Sequence, residues 1–520
     1  MARQPPFGKS SISWQDNAQA RANGSRLCTG RRYPIRLSPT KREGVQEWDL
    51  PLFGAAVLVF ALVAVRVSAL SITIDEADSY LSWIRPTWPS YWTPAANNHV
   101  LNTLVTRFFT TFFGLSMFTL RSGALLGAAI YLAACYSAVT TLAKRQWLRW
   151  PLFLCLTVNP FVQDYLAVSR GYALALGFLF TAIAIAVRSE HSAISILRRS
   201  AAVSVCAALS LSANFAFAFA AVMVVILFLK AHYWQENPLK VAACCILPGA
   251  AVALALCGPA LIGMPHSQLY YGASSLREML GSLVNSTIYE LNPFVVNPLL
   301  LPPLKLAGWI MPLTYAVLSA LVITHSVTRH HSRACKYLVG IVAGALLLHW
   351  LGLRLFHVLL PKERTGLFFV PLSMLAFGAA TAVTHLRGLQ VVCTGLLSVA
   401  AIYFVGCLRL THTHEWPFDA DTRAIYGVLR QLERREVISG WEVHRPLQVY
   451  SIMYGEEERF DFQGFGGDPP PSGKGVYVLI DERFHDFVVR EKLEIVYRGE
   501  QSGAVVAIGP GIAGIGRRTQ

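Results

Sequence analysis

Three carboxylates, Asp75, Glu76 and Asp78, fall within four positions directly after an apolar run from Leu52 to Leu70. Acids at the mouth of a membrane-length helix are costly to keep there, so their presence marks a site. The chemistry open to them is that of a general base or a cation site. A carboxylate in hydrogen-bond reach takes the proton of an attacking hydroxyl, and oxygen ligands suit a hard divalent ion such as magnesium or manganese. Asp75, Glu76 and Asp164 are the acids that could hold such an ion. Further on, Pro361-Lys362-Glu363-Arg364 places two cations beside an apolar run. A guanidinium there matches the geometry of a phosphate.

The elements that must position these groups follow from composition. The chain has 520 residues, 54% hydrophobic and 14% charged. Soluble domains carry about a quarter charged residues, so a polytopic membrane protein is expected. The net charge of +15 does not read as nucleic-acid binding. Its lysines and arginines lie in short loops between apolar runs and in the N-terminal arm, where they set topology. The cysteines fall almost wholly inside apolar runs and show neither a disulfide framework nor a zinc spacing.

About eleven apolar runs of membrane length follow one another, from Leu52–Leu70 to Leu389–Cys407. With the N-terminus inside, the inner loops hold Lys144, Arg145 and Arg149, then Arg188, Arg198 and Arg199, then later basic pairs. The acidic cluster and the region after Leu408 then fall outside. One apolar segment does not span. Val100–Phe113 alternates with a helical period between an apolar face and a face of His99, Asn102, Thr103, Thr106, Arg107 and Thr110. It should lie flat at the outer interface. From Thr411 the composition is that of a soluble α/β unit. There Thr422–Glu436 and Arg483–Lys492 read as helices, Leu447–Met453 and Val476–Ile480 as strands, and Leu493–Tyr497 with Gly503–Ile508 as a hairpin. The expected organisation is a disordered basic cytoplasmic arm (1–48), an all-α transmembrane domain (49–408) and an extracytoplasmic α/β domain (409–520).

The order of these pieces resembles the GT-C integral-membrane glycosyltransferases, relatives of protein O-mannosyltransferases and aminoarabinose transferases. The residues that carry the resemblance are Asp75-Glu76-Ala, Asn98-His99, Gly114, Leu120-Arg121-Ser-Gly-Ala-Leu, Ser169-Arg170-Gly-Tyr172-Ala-Leu and Pro361-Lys362-Glu363-Arg364 with Phe369-Val-Pro371-Leu. The chain departs from the family after His99 and after Arg121, where prolines are usual. The resemblance implies an integral protein of a bacterial inner membrane. It implies a polyprenyl-phosphate-sugar donor, an acceptor hydroxyl on a glycan, lipid or protein, and an active site facing away from the cytoplasm. The absence of a P-loop or a Gly-rich strand-to-helix turn agrees with a lipid-linked donor rather than a nucleotide sugar.

On this reading Asp75 is the base, with Asp164 as a second acid for acceptor or cation. Glu76, His99, Arg170, Lys362 and Arg364 contact substrate, the last two at the leaving phosphate. Each residue also has a plainer reading. Glu76 and Asp78 could only shape the loop, pairing with Arg85 or His99, and His99 could simply open the interfacial helix. Asp164 could partner Arg170, while Arg66, Arg121 and Arg170 could snorkel to the interface. Lys362 and Arg364 could meet lipid headgroups. A transporter or flippase of lipid-linked saccharides is the alternative from another class. Transporters place ionisable groups near the midplane of repeated halves, whereas here the charges gather at one rim.

Overall fold

The computed structural model describes residues 49–509, apart from 88–89, 189–194, 266–267, 269–270, 330–331, 433–434 and 471–474. The basic arm read over 1–48 lies outside the described residues. Among the described residues, nine helices are long and apolar enough to cross a membrane, or ten if the bent pair Pro160–Ala167 and Tyr172–Val187 counts as one span. The chain is therefore an integral membrane protein. All eleven apolar runs of the sequence fold as helices. The two outside the nine are Gln146–Thr157 and Tyr172–Val187, of 12 and 16 residues. At about 1.5 Å per residue the first reaches roughly 18 Å, short of a bilayer core of about 30 Å.

The first span, Leu50–Ala69, shows how the bundle is framed. At one end Asp49 caps it, accepting from the Leu52 N–H, and pairs with Arg149 at 2.5 Å. Arg145 meets Gln390 at 2.9 Å. The basic short loops and the start of the last span, Arg387–Cys407, thus share this rim. At the other end, twenty residues on, Leu70 turns extended and leads to the acidic helix Ile74–Ser79. Thr73 and Glu76 close a reciprocal capping box there: Thr73 Oγ1 accepts from the Glu76 N–H and Glu76 accepts from the Thr73 N–H.

The interfacial helix forms at Val100–Phe113 as the periodicity predicts. Its polarity is turned over relative to a soluble helix. Asn102, Thr103 and Thr106 are buried against the bundle, while Phe108, Phe112 and Phe113 are exposed. Thr106 and Asn102 hydrogen-bond to Ser169, in the bend between the two helices of the bent pair. That bend turns the chain by 114°. Gly171 makes it, at φ +72°, where a Cβ would come within 2.1 Å of the Ala213 carbonyl oxygen.

The C-terminal sheet has the order β2-β1-β3-β5-β4, with β1 (Glu436–Gly440), β2 (Asp461–Phe465), β3 (Val476–Ile480), β4 (Glu494–Arg498) and β5 (Ala504–Ile508). The β1 strand runs parallel to β2 and β3, and β5 antiparallel to β3 and β4. Here β3 and the β4–β5 hairpin match expectation. The segment Leu447–Met453 does not: it ends a helix, Trp441–Met453. Its buried residues Val443, Leu447 and Tyr450 follow a helical spacing that begins upstream of the stretch read as a strand. The helix read as far as Glu436 stops at Gln431, and Glu436 opens β1.

The two faces of β3 alternate. Val476 and Val478 join a core with Ile425, Val443, Leu447 and Tyr450, whereas Tyr477 and Leu479 pack with Phe484, Phe487 and Val488 of the helix Asp481–Arg490. The first of these cores also contains Ile72, Ala77, Tyr80, Ile84 and Leu120. The α/β unit and the rim bearing the acidic helix therefore share one apolar core.

Candidate active site

Glu76 is the keystone of the rim. Its side chain is fully buried against Arg121, also fully buried. The guanidinium grips it in a fork, Nε to Oε1 at 2.8 Å and Nη2 to Oε2 at 2.7 Å. Arg121 also donates to the carbonyls of Val67, Leu70 and Ser71, closing the open end of the first span. Glu76 further accepts the Ser169 N–H at 2.7 Å. Burial alone would raise its pKa; the Arg121 charge and these hydrogen bonds hold it below the usual carboxylate range. One carboxylate thus ties together the first span, the second span (Ser122–Leu142) and the bend. Its partner is neither Arg85, which meets Glu457, nor His99. Arg121 does not snorkel.

Asp75, one residue earlier, faces the other way, into a half-open site. Its Oδ2 accepts from Arg364 Nη1 at 2.9 Å and lies 3.6 Å from Arg170 Nη2. Arg170 is buried, and its Nη1 donates to Ser79 Oγ and to the Asp75 carbonyl. Arg364 Nη1 is shared with Glu415 Oε1 at 3.1 Å, and the Tyr165 hydroxyl donates to Glu415 Oε2 at 3.0 Å. The Tyr271 ring covers the Arg364 guanidinium, 4.8 Å from its carbon.

His99 is buried beside Tyr172, and neither ring nitrogen has a protein partner. Burial, then the charges of Arg170 and Arg364, push its pKa well below the usual histidine value, so its ring is neutral at pH 7. Lys362 is half-buried and pairs with Glu278 at 3.1 Å. Between the two cations Glu363 adopts a left-handed backbone, φ 47°, with its N–H on Ser282 Oγ and its carboxylate accepting from Tyr271. A non-glycine residue in that region costs about 1–3 kcal/mol and is typically found where a site demands it.

Asp164 stands apart from this group. It is buried, and Arg66 Nη2 donates to its Oδ1 at 2.5 Å. The Tyr289 hydroxyl and the His414 N–H donate to its Oδ2, each at 2.9 Å. Its partner is Arg66 rather than Arg170, and Arg66 does not snorkel: its side chain is 1% exposed. The three acids considered for a divalent ion therefore face three different guanidinium groups. Among the described residues no set of three His, Cys, Asp or Glu side chains converges on one point. This donor set does not fit a divalent ion.

The site thus gathers Asp75, His99, Arg170 and Arg364, leaves Lys362 one residue pair away, and turns Glu76 and Asp164 into buried ties. Sequence reasoning missed Glu415 and Tyr271. The signal for Glu415 was present, since Thr411-His-Thr-His-Glu415 puts an acid just past an apolar run, as Asp75 does.

An apolar cavity of about 460 Å³ is lined by Met279, Leu283, Tyr315, Phe369, Val370 and Phe404 among others, and Gly366, two residues after Arg364, packs on Leu283. That is within the range of small-molecule sites, about 300–1,000 Å³. It runs between spans. Of its lining helices, Leu276–Thr287 carries Glu278 in its first turn and Phe369–Val383 begins five residues after Arg364.

Fold and site together define a polytopic membrane protein with an arginine–carboxylate centre at one rim and an apolar cavity between its spans. No protein-family model matches the sequence, and no curated protein matches it by sequence. Among solved structures the chain is similar to ArnT from Cupriavidus metallidurans bound to undecaprenyl phosphate, with 12% identity and a TM-score of 0.49 over 91% of this chain and 100% of that one. Against the apo state of ArnT the TM-score is 0.38, at 12% identity, over 89% and 99% of the two chains. Against the arabinosyltransferase EmbB from Mycobacterium smegmatis it is 0.39, at 13% identity, over 84% of this chain and 42% of that one. Likeness at this level carries no argument about chemistry, which rests on the residues themselves.

Proposed function

We propose that the chain is a GT-C-type glycosyltransferase. It moves a sugar from a polyprenyl-phosphate donor to an acceptor hydroxyl at the extracytoplasmic face, by direct displacement with inversion. The observation that carries this reading is Arg364, a half-buried guanidinium paired with Asp75 on the turn Glu363–Gly366, which packs against Leu283 in the wall of an apolar cavity. A polyprenyl phosphate has these two parts, an anion and a long apolar chain.

In the proposed reaction the donor phosphate meets Arg364, with Lys362 nearby, and the isoprenoid enters the cavity. Arg364 then exchanges a carboxylate for the phosphate, and Asp75 is left free to accept a proton. The acceptor oxygen bonds to the anomeric carbon as the bond to the phosphate oxygen breaks. The leaving phosphate gathers charge where the arginines already stand. Neutral His99, with both ring nitrogens unclaimed, is placed to hydrogen-bond a sugar hydroxyl.

Arg364→Ala is expected to weaken binding of a polyprenyl phosphate by roughly tenfold or more, since losing a hydrogen bond to a charged group costs about 1.5–3 kcal/mol. Binding measured by calorimetry in detergent checks this; unchanged affinity in a folded variant places the phosphate elsewhere. The orientation proposed with it puts the N-terminus inside. Reporter fusions at Arg145 and Asp468 should report inside and outside respectively, and a reversed pattern would turn the site toward the cytoplasm.

A further inference from the structure

We infer that Glu415 is the acid of the transfer, the group that hands a proton to the departing phosphate, and that Asp164 is the residue that positions it. This rests on the glycosyltransfer reading above.

The geometry is specific. Glu415 lies just beyond the last span, yet its carboxylate reaches the centre of the site. There it shares Arg364 Nη1 with Asp75. A phosphate that draws Arg364 to itself comes to rest against the same Glu415 oxygen. Two carboxylates then flank one cationic group, and the proposal gives them different roles: Asp75 serves the acceptor and Glu415 the leaving group.

Glu415 does not reach this place unaided. Asp164 accepts the N–H of His414, the preceding residue, and Tyr289, which also donates to Asp164, stacks on the His414 ring at 4.5 Å. Asp164 is anchored in turn by Arg66 of the first span. A buried ion pair under the site thus fixes the backbone from which Glu415 extends.

The surroundings raise the proton affinity of Glu415 above that of an ordinary carboxylate. Glu415 is faced by Arg364 and Glu363 from the turn Glu363–Gly366, by Asp75 from the acidic helix and by the tyrosines Tyr165, Tyr172, Tyr271 and Tyr289. Burial raises its pKa, and the opposing pull of Arg364 does not reverse the shift. A phosphate drawing Arg364 away removes that pull and adds negative charge, so proton affinity rises further. A phosphate monoester has its second pKa near 6, and general acid catalysis is most effective between groups of matched affinity.

The step balances. The acceptor O–H proton goes to Asp75, and the acceptor oxygen bonds to the anomeric carbon. The electron pair of the broken carbon–oxygen bond stays on the phosphate oxygen, which takes the Glu415 proton and leaves as a monoanion. Asp75 then releases a proton to solvent and Glu415 takes one up.

The test is proton uptake when a polyprenyl phosphate binds the full chain in detergent. It is measured by calorimetry at pH 8 in two buffers of different ionisation enthalpy. Wild type should take up close to one proton per phosphate bound, by linkage of the two events. Glu415→Gln should bind with less than half that uptake, and Glu415→Asp should restore it. Should Glu415→Gln fail to bind, uptake by Glu415→Asp decides: uptake supports the assignment and its absence overturns it. Wild type binding without uptake, or Glu415→Gln with undiminished uptake, also overturns it and leaves the carboxylate only as an orienting partner of Arg364. If wild type does not bind a polyprenyl phosphate at all, it is the underlying glycosyltransfer reading that fails.

Discussion

Asp75→Asn is expected to lower turnover by about 10²–10⁴-fold, the span of general base catalysis, with binding of a polyprenyl phosphate retained or tightened. The substitution keeps shape and a hydrogen-bond acceptor for Arg364 but removes the proton acceptor. It also removes one of the two carboxylates that share the Arg364 Nη1, so the guanidinium is freer for a phosphate. A fall in turnover without loss of affinity separates a base from a binding group. Turnover within about threefold of wild type, in a variant that folds, ends carboxylate-assisted transfer through Asp75. Weakened phosphate binding would instead mean that Asp75 serves to hold Arg364 in place.

Glu76→Gln, one residue away, is expected to act on folding rather than on chemistry. Breaking a buried ion pair from one side costs about 3–5 kcal/mol because the partner charge is left uncompensated. Arg121 would lose its fork and keep its burial. Thermal unfolding in detergent should show the loss, while Asp78→Asn, whose exposed pair with Arg445 spans 3.5 Å, should change little. Because Glu76 ionises more readily in the folded chain, its contribution is present above the ordinary carboxylate range and is lost as pH falls through and below it. Equal stability of Glu76→Gln and wild type at neutral pH would show that the pair is not what holds the rim.

What the sequence made legible was local. Apolar length placed the spans, and a period of 3.6 placed the interfacial helix at Val100–Phe113. Residue type and position relative to the spans selected Asp75, His99, Arg170 and Arg364, which the fold brings together. Pairing across the bundle was not legible. Arg66 and Asp164 are 98 positions apart, and Glu76 and Arg121 are 45 apart. An arginine at a span end reads the same whether it snorkels or meets an acid, because the difference lies in which helix packs beside it. The segment Leu447–Met453 misled for a related reason, since a short window of β-branched and aromatic residues does not show which neighbour will bury it.

The inverted polarity of the helix Val100–Phe113 makes the lipid a working part of the site. Its three exposed phenylalanines pack on rings of their own helix rather than on the bundle, so surrounding hydrocarbon helps keep its polar face pressed to Ser169. Ser169 in turn donates to Glu76, the carboxylate that ties the rim together. Bilayer thickness and the choice of detergent are therefore structural variables of this protein. A micelle that lets that helix lift would loosen the catalytic rim while every span stayed folded.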